Sequence, residues 1–188
     1  MFNLKHFIHD LKPDFIFLSE PQLFTCDLDR VMSHFKGEYF YSLNAPDSHE
    51  PDLPLRSSKA TGGTMLMWKS DIHPYVTIRS ASTSSFLPLI FQPPGTITSV
   101  HISVYLPTHG REQDFILDLS KLASAIDQLK TEFPASPLYI RGDFNVGKNH
   151  LRRQELLSNF IEDMNLVEIS NPIIPTIILL AMERVILS

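Results

Sequence analysis

Asp143 and Asn145 end the run Leu138-Tyr139-Ile140-Arg141-Gly142-Asp143-Phe144-Asn145, where strand-forming residues stop abruptly at two polar side chains. Pro137 marks the entry to that run, and Gly142 lets the backbone turn where a side chain would crowd a ligand. Alternate positions of an extended segment allow Asp143 and Asn145 to face one cleft. Glu20 ends a second apolar run, Phe15 to Leu18, so it is a carboxylate delivered by a buried strand. Oxygen donors of this kind suit Mg²⁺ or Mn²⁺; a solvated loop glutamate is the alternative. Tyr105 closes a third run, Ile97 to Leu106, at the turn Tyr105-Leu106-Pro107-Thr108-His109-Gly110. Its phenol could serve a site or be a half-buried aromatic, and His109 reads as a surface turn histidine. Lys148, His150, Arg152 and Arg153 form a local basic cluster, either for phosphate-backbone contact or as a solvated face.

The elements that must position these residues follow from spacing. Leu4, Phe7, Ile8 and Leu11 predict an amphipathic helix ended by Pro13, which feeds the Phe15 strand directly. A short helix is expected over Asp27 to Phe35 and a strand over Tyr39 to Leu43. Asn44 to Thr61, with Pro46, Pro51 and Pro54, reads as an exposed loop. Gly62-Gly63 opens a strand over Thr64 to Trp68, and further strands are expected over Ile72 to Ile78 and Phe86 to Phe91, with a turn at Ser80 to Ser85. Phe115, Leu119, Leu122, Ile126 and Leu129 mark a helix that crosses between the Tyr105 strand and the Asp143 strand. A last helix spans Gln154 to Met164, with Leu156, Leu157, Phe160 and Ile161 as its core face. Strands alternating with covering helices predict an α/β fold, layered from sheets flanked by helices.

Composition sets bounds. A chain of 188 residues, 43% hydrophobic and 10% aromatic, is ordinary for one globular domain. A net charge of -5 gives no sign of a globally basic nucleic-acid binder, so any DNA contact must use a local patch. Cys26 is the only cysteine, which excludes an intrachain disulfide and a cysteine-based zinc cluster and is consistent with a reducing, intracellular home. Nothing at Met1 to Leu11 reads as a secretory signal. The run Ile173 to Met182, broken by Pro175, is too short for a membrane span, so no membrane partner is expected.

The segment Gly142-Asp143-Phe144-Asn145 resembles the signature of the endonuclease/exonuclease/phosphatase family of metal-dependent phosphodiesterases. Three other segments resemble the family in the same order: Pro13 to Glu20, Gly62 to Trp68, and Val104 to Thr108. The wording is most similar to the endonuclease domain of a non-LTR retrotransposon, from about Lys5 to about Pro175. The resemblance implies a layered sandwich of β-sheets flanked by helices, Mg²⁺ (or Mn²⁺) as cofactor and DNA as partner, and with a retrotransposon origin a nuclear location. It implies Glu20 as the metal ligand and Asp143 as the group that orients or activates water. Asn145 would contact the phosphate or Asp143, and Tyr105 would lie near the scissile phosphate.

It also implies an asparagine on a strand before the opening helix and an aspartate and histidine near the C-terminus, and the sequence matches neither. Residues 1–175 therefore read as a domain of this type lacking its first strand and C-terminal part. Where retrotransposon relatives resemble His-His-Phe-Val-Gly-Asn-Gly, this chain has Ile177 to Glu183. Codons for the former, read one base later, encode Ile-Ile-Leu-Leu-Ala-Met-Glu, so 176–188 reads as an out-of-frame tail, with an authentic closing strand at Ile177 to Leu180 as the alternative. The function expected is a catalytically impaired Mg²⁺-dependent DNA endonuclease. A non-catalytic fragment with residual nucleic-acid or protein binding is one alternative, and a phosphoesterase with a non-nucleic-acid substrate is another.

Overall fold

The computed structural model describes residues 4–21, 23, 28–44, 63–80, 83–106, 112–147, 149–169 and 178–181. Among them, nine strands and four α-helices occur in the order α1 (Leu4–Leu11), β1 (Phe15–Ser19), α2 (Leu28–Met32), β2 (Tyr39–Asn44), β3 (Thr64–Lys69), β4 (Val76–Ile78), β5 (Phe86–Phe91), β6 (Ser99–Tyr105), α3 (Glu112–Glu132), β7 (Leu138–Asp143), α4 (Leu151–Asp163), β8 (Val167–Glu168) and β9 (Ile178–Ala181). Two sheets result, one ordered β1-β3-β2 and one ordered β4-β5-β6-β7-β9-β8. β6 and β7 are parallel, and α3 is the crossover between them, as its four-and-three spacing predicts.

Three apolar clusters define the layers. Leu66, Trp68, Leu87 and Leu89 pack with Phe15, Phe17 and Phe91 between the two sheets. Ile8, Ile16, Met32, Phe35, Met65 and Met67 join α1 and α2 to the outer face of the small sheet. Phe115, Leu119, Leu122, Ile126 and Leu129 of α3, with Leu157 and Phe160 of α4, cover the outer face of the large sheet at Ile102, Val104 and Ile140. The order is helix, sheet, sheet, helix, and neither sheet closes on itself. Both-face coverage explains why β3 and β5 are near-continuous apolar runs; β6 is buried along its length too, but its inward positions carry Ser99, His101 and Ser103.

Some expectations shift. Only Val76–Ile78 of the strand expected over Ile72 to Ile78 is a strand; Ser70–Tyr75 is a 3-10 helix. Pro74 has no N–H to give a ladder, and His73, though exposed, folds back over the small sheet, accepting at Nδ1 from Trp68 Nε1 (3.1 Å) and stacking on Phe40. Arg153, expected on a basic face, is 9% exposed with its guanidinium 4.9 Å above the Phe115 ring. Arg152 is exposed but paired with Glu112 and Glu155, while Lys148 lies outside the described residues. So do His109, most of the loop from Asn44 to Thr61, and most of 176–188. From that last segment Ile178–Ala181 forms β9, antiparallel to both β7 and β8.

Candidate active site

Three strand ends meet at one pole of the sandwich. β6 and β7 run parallel in register, so Tyr105 pairs with Asp143 at the C-terminal end of both. The pairing is unusually close at Gly142, whose φ is +147°; a Cβ built there would lie 1.9 Å from the Val104 carbonyl oxygen. Glycine is needed here for strand approach, in addition to the turn the sequence suggests. Beyond the strand the Leu106 N–H donates to the Asp143 carbonyl (2.9 Å), and Asn145 Nδ2 donates to the Leu106 carbonyl (2.5 Å). Asn145 takes a left-handed φ of 52°, a conformation asparagine tolerates, and its N–H donates to Asp143 Oδ1 (2.9 Å). The amide side chain of Asn145 thus braces the chain after β6, and its backbone fixes the Asp143 carboxylate.

β1 delivers Glu20 to the same pole from the facing sheet. Ser19 Oγ donates to the Val104 carbonyl (3.1 Å), joining the end of β1 to β6 one residue before Tyr105. Glu20 follows at a left-handed φ of 50°, half-buried, with its N–H donating to the Gly63 carbonyl (3.0 Å). Tyr105 is 6% exposed and so more buried than a half-exposed aromatic, and its N–H donates to the Ser85 carbonyl (2.8 Å). The Thr83 to Ser85 turn is anchored in turn by Asn44 Nδ2, which donates to the Thr83 and Phe86 carbonyls, and by Asp118, which accepts from Ser85 Oγ (2.6 Å). Ser19, Asn44, Ser85 and Asp118 escape sequence reasoning because they act through long-range hydrogen bonds that no local pattern announces.

The inward side of β7 carries a second polar group in line with Asp143. Arg141 lies with its guanidinium 4.2 Å over the Phe17 ring, and its Nη2 donates to His101 Nδ1 (3.1 Å). An arginine can only donate, so His101 Nδ1 must accept. Its proton sits on Nε2, which donates to Ser99 Oγ (2.9 Å). Burial, with Arg141 beside it, holds the His101 pKa down to about 4, so the ring is a neutral spacer. The sequence signal for Arg141 is a cation inside an apolar strand, at the parity of Asp143.

Among the described residues no group of three or more His, Cys, Asp or Glu side chains gathers as a metal site. The donor set still suits Mg²⁺. That ion takes one or two protein carboxylates and completes its shell with water and substrate phosphate, and Glu20 and Asp143 are two carboxylates at one pole. No family model and no curated protein matches the sequence. Solved structures do match. The catalytic domain of human Nocturnin, with a bound sulfate anion, superposes at a TM-score of 0.65 and 13% identity, over 96% of this chain and 73% of that one. The endonuclease domain of TRAS1, a telomere-specific non-LTR retrotransposon, gives 0.63 and 10%, over 96% and 77%. D. rerio TDP2 complexed with single strand DNA product gives 0.56 and 11%, over 97% and 76%. Identities this low speak of architecture alone, and TM-scores of 0.65, 0.63 and 0.56 over nearly the whole of this chain carry that much: the chain has the endonuclease/exonuclease/phosphatase fold.

Proposed function

We propose that this chain is a nucleic-acid phosphodiesterase of the DNA endonuclease type, with weak catalysis. The observation that carries the reading is the convergence of Glu20, Tyr105, Asp143 and Asn145 at one pole, tied by the contacts of Ser19 with Val104 and of Asn145 with Leu106. Glu20 and Asp143 would hold Mg²⁺, which when bound supplies positive charge to a phosphate. Asp143 keeps one carboxylate oxygen on the Asn145 backbone N–H, and its other oxygen would serve both the ion and the water to be oriented for attack. Tyr105 would counter negative charge on the phosphoryl oxygens, and Asn145 fixes the loop that holds Asp143 in place. Weak catalysis is inferred because Ile177 to Glu183 stands where the resemblance calls for histidine and its partner, and a general acid or base typically contributes about 10²–10⁴-fold.

The test is nicking of supercoiled plasmid, alongside hydrolysis of an activated phosphodiester, at millimolar Mg²⁺. Slow turnover that disappears in both Asp143→Ala and Glu20→Ala is the expected result. Turnover that survives both substitutions would remove these residues from the site. Binding of DNA without turnover would favour the non-catalytic alternative, and turnover of the small diester without nicking would favour a substrate that is not nucleic acid.

A further inference from the structure

Three buried side-chain atoms among the described residues lack a hydrogen-bond partner: Thr64 Oγ1, Ser103 Oγ and Arg141 Nε. All three stand at inward positions of their strands. Thr64 shares parity with Leu66 and Trp68, Ser103 with His101 and Tyr105, and Arg141 with Tyr139 and Asp143. Ser103 and Arg141 are register partners across β6 and β7. Thr64 pairs with Ser19, whose hydroxyl reaches the carbonyl of Val104, the residue after Ser103. The unsatisfied atoms therefore share one layer between the sheets, directly beneath the pole that carries Glu20 and Asp143.

Arg141 is the unusual member. Its guanidinium is half-buried, and among the described residues no carboxylate lies within ion-pair distance of it. His101 cannot balance the charge because it is neutral. Burial draws the arginine pKa below its ordinary value, yet a guanidinium remains protonated. A desolvated cation without a counter-charge is costly, as is a buried hydroxyl or N–H without a partner. Water would satisfy the hydroxyls but would leave the charge uncompensated. A metal cation would be repelled. A tetrahedral oxyanion answers both needs, since its oxygens accept from a guanidinium fork and from hydroxyls at once.

We propose that Arg141, Ser103 and Thr64 form an oxyanion site that takes a phosphate group, either free inorganic phosphate or a phosphate of a bound nucleic acid; the nucleic-acid source rests on the function proposed above. Phe17 and His101 hold the guanidinium in place from below. Asp143, two residues along the same face of β7, adjoins the site.

Thermal unfolding in sodium phosphate is compared with sodium chloride at matched ionic strength, for the full chain and for Arg141→Met, Arg141→Lys and Ser103→Ala. Phosphate should raise the melting temperature of the unaltered chain above its chloride value. Arg141→Met should lose that increment, Arg141→Lys should keep part of it, and Ser103→Ala should reduce it. An increment equal in all four proteins, or absent from the unaltered chain, overturns the proposal and leaves the layer to water. If Arg141→Met does not fold, the Lys and Ala variants carry the comparison.

Anisotropy of a labelled single-stranded oligonucleotide identifies the source. Loss of affinity in Arg141→Met, with a salt slope smaller by about 0.7, counts one phosphate contact. Oligonucleotide binding that is absent or unchanged while the phosphate increment is lost supports a free-anion site and counts against the nucleic-acid reading alone.

Discussion

His101 is held neutral between Arg141, whose charge faces Nδ1, and the rings of Phe15, Tyr139 and Phe17, with Ser99 on Nε2. Its pKa falls from 6.5 in the unfolded chain to about 4 in the folded one. Between those values the unfolded state binds more protons, so stability is present above the upper one and is lost as pH falls toward the lower. The loss reaches about 3 kcal/mol. Urea unfolding at neutral pH and again near the lower end of that window should show it. His101→Gln, which keeps an acceptor for Arg141, should flatten that part of the profile. Equal acid sensitivity in both proteins would mean another group titrates. Gly142 is constrained differently, by space and conformation together: Gly142→Ala would drive a methyl into the Val104 carbonyl at a φ that disfavours side chains. Neither backbone can retreat without breaking the β6–β7 ladder, so the cost should be at least about 3 kcal/mol, seen as a lowered urea midpoint. A near-neutral Gly142→Ala would show that the ladder is not so tightly drawn.

Elements differ in how firmly they are held. β6 and β7 are central strands whose Ile102, Val104 and Ile140 are fully buried under α3. β8 has two residues, both exposed, and among the described residues reaches the sheet only through β9. Native-state hydrogen exchange should therefore be slowest in β6 and β7 and fastest at the β9–β8 edge. Uniform protection across the large sheet would mean that β9 docks as firmly as the centre. Ile126→Ala in α3, at 0% exposure, should cost about 2–5 kcal/mol through the cavity it leaves. Periodicity made α3 legible in the sequence because five apolar residues recur at steps of four and three, and the strands ending at Glu20 and Asp143 were legible as apolar runs and the one ending at Tyr105 as a β-rich run. The stretch before Val76 was not, because its conformation follows from His73 docking on Trp68, five residues upstream, and on Phe40 of β2. The same holds for Arg153, whose charge suggested a surface while its guanidinium packs on Phe115. A run of residue types marks where a strand ends; what its end residue touches depends on partners distant in sequence.

At the scale of the whole molecule, a net charge of -5 opposes DNA, so the binding proposed above would have to be won locally at the pole where the sheets meet. That pole offers two carboxylates, which repel a phosphodiester until a cation neutralises them, and Arg141, the inward-facing charge of opposite sign two residues from Asp143. Divalent metal should therefore control affinity as well as turnover. A labelled single-stranded oligonucleotide should bind weakly in chelator and more tightly in millimolar Mg²⁺ at constant ionic strength. The gain should vanish in the double variant Glu20→Ala, Asp143→Ala, which should also bind better than the unaltered chain when chelator is present, because two negative charges are gone. These opposite signs separate a metal bridge from general screening, since screening would act on both proteins alike. Equal Mg²⁺ enhancement in the two proteins would locate the ion in the DNA's own atmosphere rather than at Glu20 and Asp143, and would remove the metal from the proposed site.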